Sequence, residues 1–215
     1  MALKADQVDL SPLPLRTRPT LRLAQLLIGL VAYGASMGLM VRAHVGLGPW
    51  DVLHQGLADR LGWNFGWVTA LTGALVMLAW LPLRQRPGIG TVANVIVIAF
   101  AVDFTLALVP PLTALPARIA LMLSAIVLNG LATAVYVGAR LGPGPRDGLM
   151  TGLHARTGWS VRVVRTTIEV CVLALGWLLG GTVGVGTVLY AAAIGPLTQL
   201  FLRFAAVREK KDLCP

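Results

Sequence analysis

The sequence predicts an all-α polytopic membrane protein: six transmembrane helices in two inverted three-helix repeats, each with one short re-entrant or interfacial helix. Three observations predict it. The chain of 215 residues is 56% hydrophobic and 13% charged, roughly half the charged share of a soluble domain. Six apolar runs reach the roughly 20 residues that a spanning helix needs. A pattern of Gly, Pro, Asp and Trp recurs at one constant offset of 96 positions, the signature of a structural repeat.

Residues 1–20 are polar and Pro-rich, lack the order of a signal peptide, and are expected to form a flexible cytoplasmic tail. The runs 22–43, 64–83 and 89–110 are the expected spans of a first unit, 21–110. The runs 117–139, 161–180 and 185–206 are those of a second unit, 111–207, and 208–215 ends the chain as a second cytoplasmic tail. Two stretches, 49–62 and 145–158, are too short to span. Each opens on Gly-x-Gly-Pro with Asp two residues after the Pro, and each ends at Gly-Trp. Pro in the first turn and a carboxylate near the N-terminus mark a helix start. About eleven helical residues cover roughly 16 Å, half the hydrocarbon thickness. A re-entrant half-helix and an amphipathic helix lying at the interface both fit, the second because Asp59, Arg60 and Arg156 are polar.

The register of the repeat is specific. Gly46, Gly48, Pro49 and Asp51 fall on Gly142, Gly144, Pro145 and Asp147. Gly62-Trp63 falls on Gly158-Trp159, and Gly88, Gly90, Thr91 and Val92 fall on Gly184, Gly186, Thr187 and Val188. Chance likeness between apolar helices would match Leu and Ala instead. Each unit holds three spans, an odd number, so the second enters the membrane from the opposite side.

Lys and Arg set the orientation. With six crossings, fifteen fall on the side of the termini and three, Arg42, Arg60 and Arg118, on the other. That asymmetry places both termini in the cytoplasm. The net charge of +9 then reads as attraction to membrane lipid. Nucleic acid is not an expected partner, since no basic stripe interleaves with aromatics. Cys171 and Cys214 share no spacing with each other or with His, so no disulfide framework, metal site or cofactor is expected. A homo-oligomer is left open.

The repeated loop carries the candidate site. Gly46, Gly48, Gly142 and Gly144 permit close backbone approach. Helix N-termini beginning at Pro49 and Pro145 would present free N–H groups from opposite faces to an anionic or polar solute. Asp51 and Asp147 either cap those N-termini or stand as carboxylates at a gate, and the two readings are compatible. Trp50 and His54 complete the first loop; His154 is not the repeat partner of His54. Trp63 and Trp159 fit an interfacial aromatic belt. Within the spans, Asn94 and Asp103 are the polar groups most suited to a buried functional role. Nine residues apart, these two point to opposite sides of their helix. Arg165 and Glu169, four apart, are expected to pair as a structural ion pair. Glycines 34, 38, 73, 130, 176 and 180 are expected helix-packing positions. No catalytic constellation appears, so an enzyme is not expected.

The run Gly46-Leu47-Gly48-Pro49-Trp50-Asp51-Val52-Leu53-His54-Gln55-Gly56-Leu57, followed by Pro87-Gly88-Ile89-Gly90-Thr91-Val92-Ala93-Asn94, resembles the bacterial YczE/YyaS/YitT-type membrane proteins, the YczE branch above all. The resemblance covers roughly residues 20–207. It implies a multi-spanning plasma-membrane protein. It also implies export as one role, because some relatives are classed as antibiotic exporters and others are linked to peptide antibiotic production. The second loop departs from the first, with Arg146 in place of Trp50 and Met150 in place of His54. Two function classes follow. One is a small secondary transporter or exporter of a small organic solute. The other is a non-transporting membrane component, either the solute-binding subunit of a larger transporter or an accessory protein for antibiotic or peptide production and export.

Overall fold

The computed structural model describes residues 17–207, and every regular element among them is helical. In chain order these are α1 (Pro19–Ala43), α2 (Pro49–Leu61), α3 (Phe65–Leu78), α4 (Trp80–Leu83), α5 (Ile89–Leu108), α6 (Leu115–Gly138), α7 (Pro145–Thr157), α8 (Val161–Leu178) and α9 (Val185–Ala205). The expected tails lie outside the described residues except for 17–20, as does Cys214.

Three sequence expectations are refined. The run 64–83 is not one continuous helix: α3 ends at Leu78 and α4 restarts at Trp80. Leu78 is four residues before Pro82, whose ring displaces that carbonyl and whose nitrogen has no hydrogen to donate to it. Among the described residues, five helical stretches are long and apolar enough to cross a membrane, namely α1, α3 with α4, α5, α6 and α9. The expected sixth, α8, stands in its place with 18 residues but carries Arg162, Arg165 and Glu169. Gly180 is not a packing glycine. It turns the chain after α8 with φ +103, and a Cβ there would touch nothing.

α1 and α6 form the centre, against which α5 and α9 pack. The approach is close. A Cβ at Gly29 would lie 2.6 Å from the Tyr136 nitrogen, and one at Gly34 2.7 Å from Ala101 Cβ on α5. Small residues at such crossings let backbones meet without side chains between them. Leu26, Leu30, Met37, Met40, Met122 and Ile126 fill the core around them.

α1 and α6 are antiparallel, and each end is tied by an arginine. Arg22 Nε, near the start of α1, donates to the Ala139 carbonyl at 2.8 Å, and its Nη2 donates to the Arg140 carbonyl at 3.0 Å. Arg118 Nε, near the start of α6, donates to the Ala43 carbonyl at 2.8 Å, and its Nη2 donates to the His44 carbonyl. Arg22 and Arg118 are repeat mates, and so are Ala43 and Ala139. A cation at a helix C-terminus satisfies orphan carbonyls and opposes the negative end of the dipole.

Other equivalent positions make equivalent contacts. Gly90 N donates to the Leu141 carbonyl at 3.0 Å, and Gly186 N to the Val45 carbonyl at 3.0 Å. His44 and Arg140 have φ 49 and 54, and Gly46 and Gly142 have φ 129 and 126. One bond differs for a clear reason. Leu47 N donates to Thr187 Oγ1 at 3.1 Å, whereas its mate Pro143 has no N–H, and Thr91 Oγ1 instead donates to the Pro143 carbonyl at 2.7 Å.

Candidate functional site

α2 and α7 start as their sequences dictate. Pro49 and Pro145 occupy the first turn, Gly48 and Gly144 are extended residues before it, and both helices end on a left-handed glycine, Gly62 and Gly158. Asp51 and Asp147 are therefore the third residues of their helices. Each turns back toward the preceding glycine: Asp51 Oδ2 and Asp147 Oδ2 would lie 3.2 and 3.3 Å from a Cβ at Gly48 and Gly144.

The two starts face one cavity of about 800 Å³, in the usual size range of small-molecule sites. Repeat mates line it together: Gly48 with Gly144, Pro49 with Pro145, Trp50 with Arg146, Asp51 with Asp147, His54 with Met150, and Asn94 with Tyr190. Tyr33 and Tyr136 add aromatic wall, meeting edge to face with ring centroids 5.8 Å apart. Charged lining residues are Arg86, Arg140, Arg146 and Arg165 against Asp51, Asp147 and Glu169, which leaves one positive charge in excess.

The polar groups fall into two sets. One is a fixed frame. Tyr190 donates to Asn129 Oδ1 at 3.2 Å, Asn129 Nδ2 donates to Ser36 Oγ at 2.7 Å, and Ser36 donates to the Tyr33 carbonyl at 2.6 Å. This chain joins α9, α6 and α1 and satisfies a fully buried Asn129. Arg165 and Glu169 pair at 2.9 Å, as their spacing predicts, and both face the cavity.

The second set is loosely coupled. Arg146 Nη2 is 3.7 Å from Asp51 Oδ1, and His54 Nδ1 is 3.6 Å from the same oxygen. Both distances are beyond hydrogen-bond range, and Asp51 Oδ1 and Trp50 Nε1 are buried with no hydrogen-bond partner. Thr69 donates to the Phe65 carbonyl at 2.9 Å, leaving its oxygen to face His54 Nδ1 at 3.3 Å. The Arg146 guanidinium lies 4.9 Å from the Trp50 ring centroid and makes no hydrogen bond among the described residues.

The equivalent aspartates differ in environment. Asp51 is 3% exposed, whereas Asp147 is exposed. The cavity is also lined by Gln85, Arg86, Arg140 and Leu202.

The structure brings Gly48, Pro49, Trp50, Asp51, His54, Asn94, Gly142, Gly144, Pro145 and Asp147 to the cavity. Gly46 and Asp103 lie apart. Gly46 sits against the start of α9, where a Cβ would be 2.7 Å from Thr187 N. Asp103 Oδ1 accepts from Gly66 N at 2.7 Å and so ties the first turn of α3 to α5. His154 is exposed, with its Nδ1 beside the Trp159 carbonyl. Sequence reasoning missed Arg146 and the tyrosines as site residues. The signal was present: Arg146 is the mate of Trp50, Tyr190 of Asn94, and Tyr33 of Asn129.

Residues 20–203 match a family described as a family of unknown function (DUF6198). An uncharacterized protein of Haemophilus influenzae is 45% identical over 181 residues, covering 84% of this chain and 83% of that protein. The uncharacterized membrane protein YczE of Bacillus subtilis is 36% identical over 177 residues, covering 82% and 80%. The uncharacterized protein YyaS of the same organism is 24% identical over 179 residues, covering 81% and 89%. No solved structure matches.

Proposed function

This chain belongs to the family of unknown function DUF6198, whose relatives include the membrane protein YczE, and on that premise we propose a small transporter of the bacterial plasma membrane. It has six spans, two units of inverted topology and both termini in the cytoplasm. It moves a small organic solute by exposing one central cavity to the two faces in turn.

The observation that carries this reading is the cavity itself. Its lining pairs residues at equivalent positions of the two units, and it lies where the short helices α2 and α7 begin. Irregular backbone at membrane depth is tolerated where it is buried in protein or borders water, and discontinuous helices meeting near the midplane are a recurring transporter device. Inverted topology is supported by the antiparallel α1 and α6 with their reciprocal arginines. In this topology the exposed Asp147 faces a vestibule on the cytoplasmic side, and the buried Asp51 lies behind the closed outer side.

The test is solute flux into proteoliposomes that contain the purified protein alone, with an ion gradient imposed. Movement of a solute is the expected result. Binding without movement, with uptake only after an ATPase partner is added, would replace this reading with that of a binding subunit.

A further inference from the structure

We propose that Arg146 docks the carboxylate of a flat organic monoanion in the central cavity, with Trp50 as its positioning residue. The inference rests on the cavity being a solute site, as the transport reading holds.

Arg146 is a donor without an acceptor. Its side chain lines the cavity and is 26% exposed. It makes no hydrogen bond among the described residues, and Asp51, the nearest carboxylate, stops at 3.7 Å. A guanidinium carries five N–H donors in its plane and suits a carboxylate bidentately. The guanidinium carbon lies over the Trp50 ring, 4.9 Å from its centroid. This cation–π contact holds the guanidinium beside the ring without using its N–H donors in hydrogen bonds.

Asp51 keeps the site from being a general anion trap. It is 3% exposed, and its Oδ1 lacks a hydrogen-bond partner, so it tempers the charge of Arg146 without consuming its donors. The cavity lining as a whole carries only one excess positive charge. A monoanion balances that excess. A phosphate monoester, carrying about −1.5 to −2 at neutral pH, would overshoot it beside Asp51 and Asp147. A cationic solute would compete with Arg146 itself for Trp50. Tyr33, Tyr136 and Tyr190 line the same cavity and give a flat apolar body surfaces to stack on.

The experiment is thermal shift and calorimetry on the purified full chain in detergent. The probes are benzoate and indole-3-acetate, their matched amides, benzylamine and inorganic phosphate. Binding of a carboxylate, and not of its amide, amine or phosphate counterpart, is expected. Arg146→Lys, which keeps the charge and loses the fork, is expected to weaken that binding at least about tenfold, and Arg146→Gln further. Should Arg146→Gln not purify folded, Arg146→Lys alone decides. The inference is overturned if neither carboxylate binds, if benzylamine or phosphate binds in preference, or if Arg146→Lys binds as tightly as the unaltered chain. A carboxylate that binds through Arg146 but is never moved in liposomes would overturn the transport reading and leave this one standing. Flux of a neutral or cationic solute, unaltered in Arg146→Gln, would do the reverse.

Discussion

The Arg146 guanidinium carbon lies 4.9 Å from the centroid of the Trp50 ring, and these two residues hold equivalent positions in the two units. In the proposed inverted-repeat frame, equivalent positions that touch each other lie close to the axis relating the two units. Two copies of either residue there would be poor: two arginines repel, and two indoles bring no positive charge to an anion. One of each gives an attractive pair where the two repeated motifs meet.

Trp50→Leu is expected to release Arg146 from the ring and let it move toward Asp51. A cation–π contact is worth about 0.5–2 kcal/mol as it becomes less solvated. Carboxylate binding should therefore fall by roughly two- to thirtyfold in Trp50→Leu, and much less in Trp50→Phe, which keeps a ring face. Binding isotherms for the two variants check this, and equal loss in both would deny the ring its role.

The reciprocal arginines are expected to be structural. Arg22→Ala removes two hydrogen bonds from the carbonyl end of α6, and Arg118→Ala removes the equivalent pair from α1. The loss should be about 2 kcal/mol or more for the buried Arg22 and about 1 kcal/mol for the half-exposed Arg118. Thermal unfolding of each purified variant measures it. A larger loss for Arg118 would mean that burial does not set the strength of these ties.

Much of this was legible from Gly, Pro and Asp alone. Gly48-Pro49 and Gly144-Pro145 announce where α2 and α7 begin, because few other residues suit an extended position followed by a helix without a first donor. The 96-residue offset likewise names which positions are equivalent. It does not say which of them meet. That Arg146 lies over the Trp50 ring, or that Asp103 ties down α3 instead of facing the cavity, depends on how the spans cross, and crossing is set by steric fit among apolar residues. The break at Ala79 was legible from Pro82, but an apolar run that long reads as continuous when only hydropathy is considered. The charge on α8 was also plain in the sequence, and Arg165 and Glu169 face the same cavity as the loops, which spacing alone does not reveal.

Size is exchanged across the repeat. Position 80 is Trp where its mate 176 is Gly, and position 52 is Val where its mate 148 is Gly. Gly176 admits the α2 backbone at Val52 and Leu53, where a Cβ would come within 2.4 Å of Leu53 N. Gly148 admits the Trp80 indole, where a Cβ would come within 2.0 Å of Cζ2, and Trp80 Nε1 donates to the Pro145 carbonyl at 3.0 Å. Gly148→Ala is expected to expel the indole and cost roughly 1–3 kcal/mol by overpacking. Trp80→Gly with Gly148→Val, which copies the other interface, should cost less than the two single changes added together. A double-mutant cycle on thermal stability reads this coupling, and strict additivity would mean that the two sites do not share a contact.

The last expectation concerns which face of the cavity is open. Asp51 and Asp147 are mates, yet Asp51 is 3% exposed and Asp147 is exposed. Two carboxylates in one repeat frame differ this much only if the packing over them differs. α2 is closed down on α8 through Gly56, Gly176 and Gly181, with backbone against backbone. α7 meets α4 through the larger side chains of Trp80 and Leu83. With Cys171 and Cys214 replaced by Ser, Asp147→Cys should react quickly with a membrane-impermeant thiol reagent in inside-out vesicles and remain silent in intact cells. Asp51→Cys should be slow from both sides. An alternating-access protein must also visit the opposite state, so a solute or gradient that drives turnover should raise the reactivity of Asp51→Cys from outside as that of Asp147→Cys falls. If Asp147→Cys labels rapidly in intact cells and stays silent in inside-out vesicles, the open face is the outer one and the orientation drawn from Lys and Arg is inverted. If both react alike from one side under every condition, neither short helix is a gate, and the cavity serves binding alone.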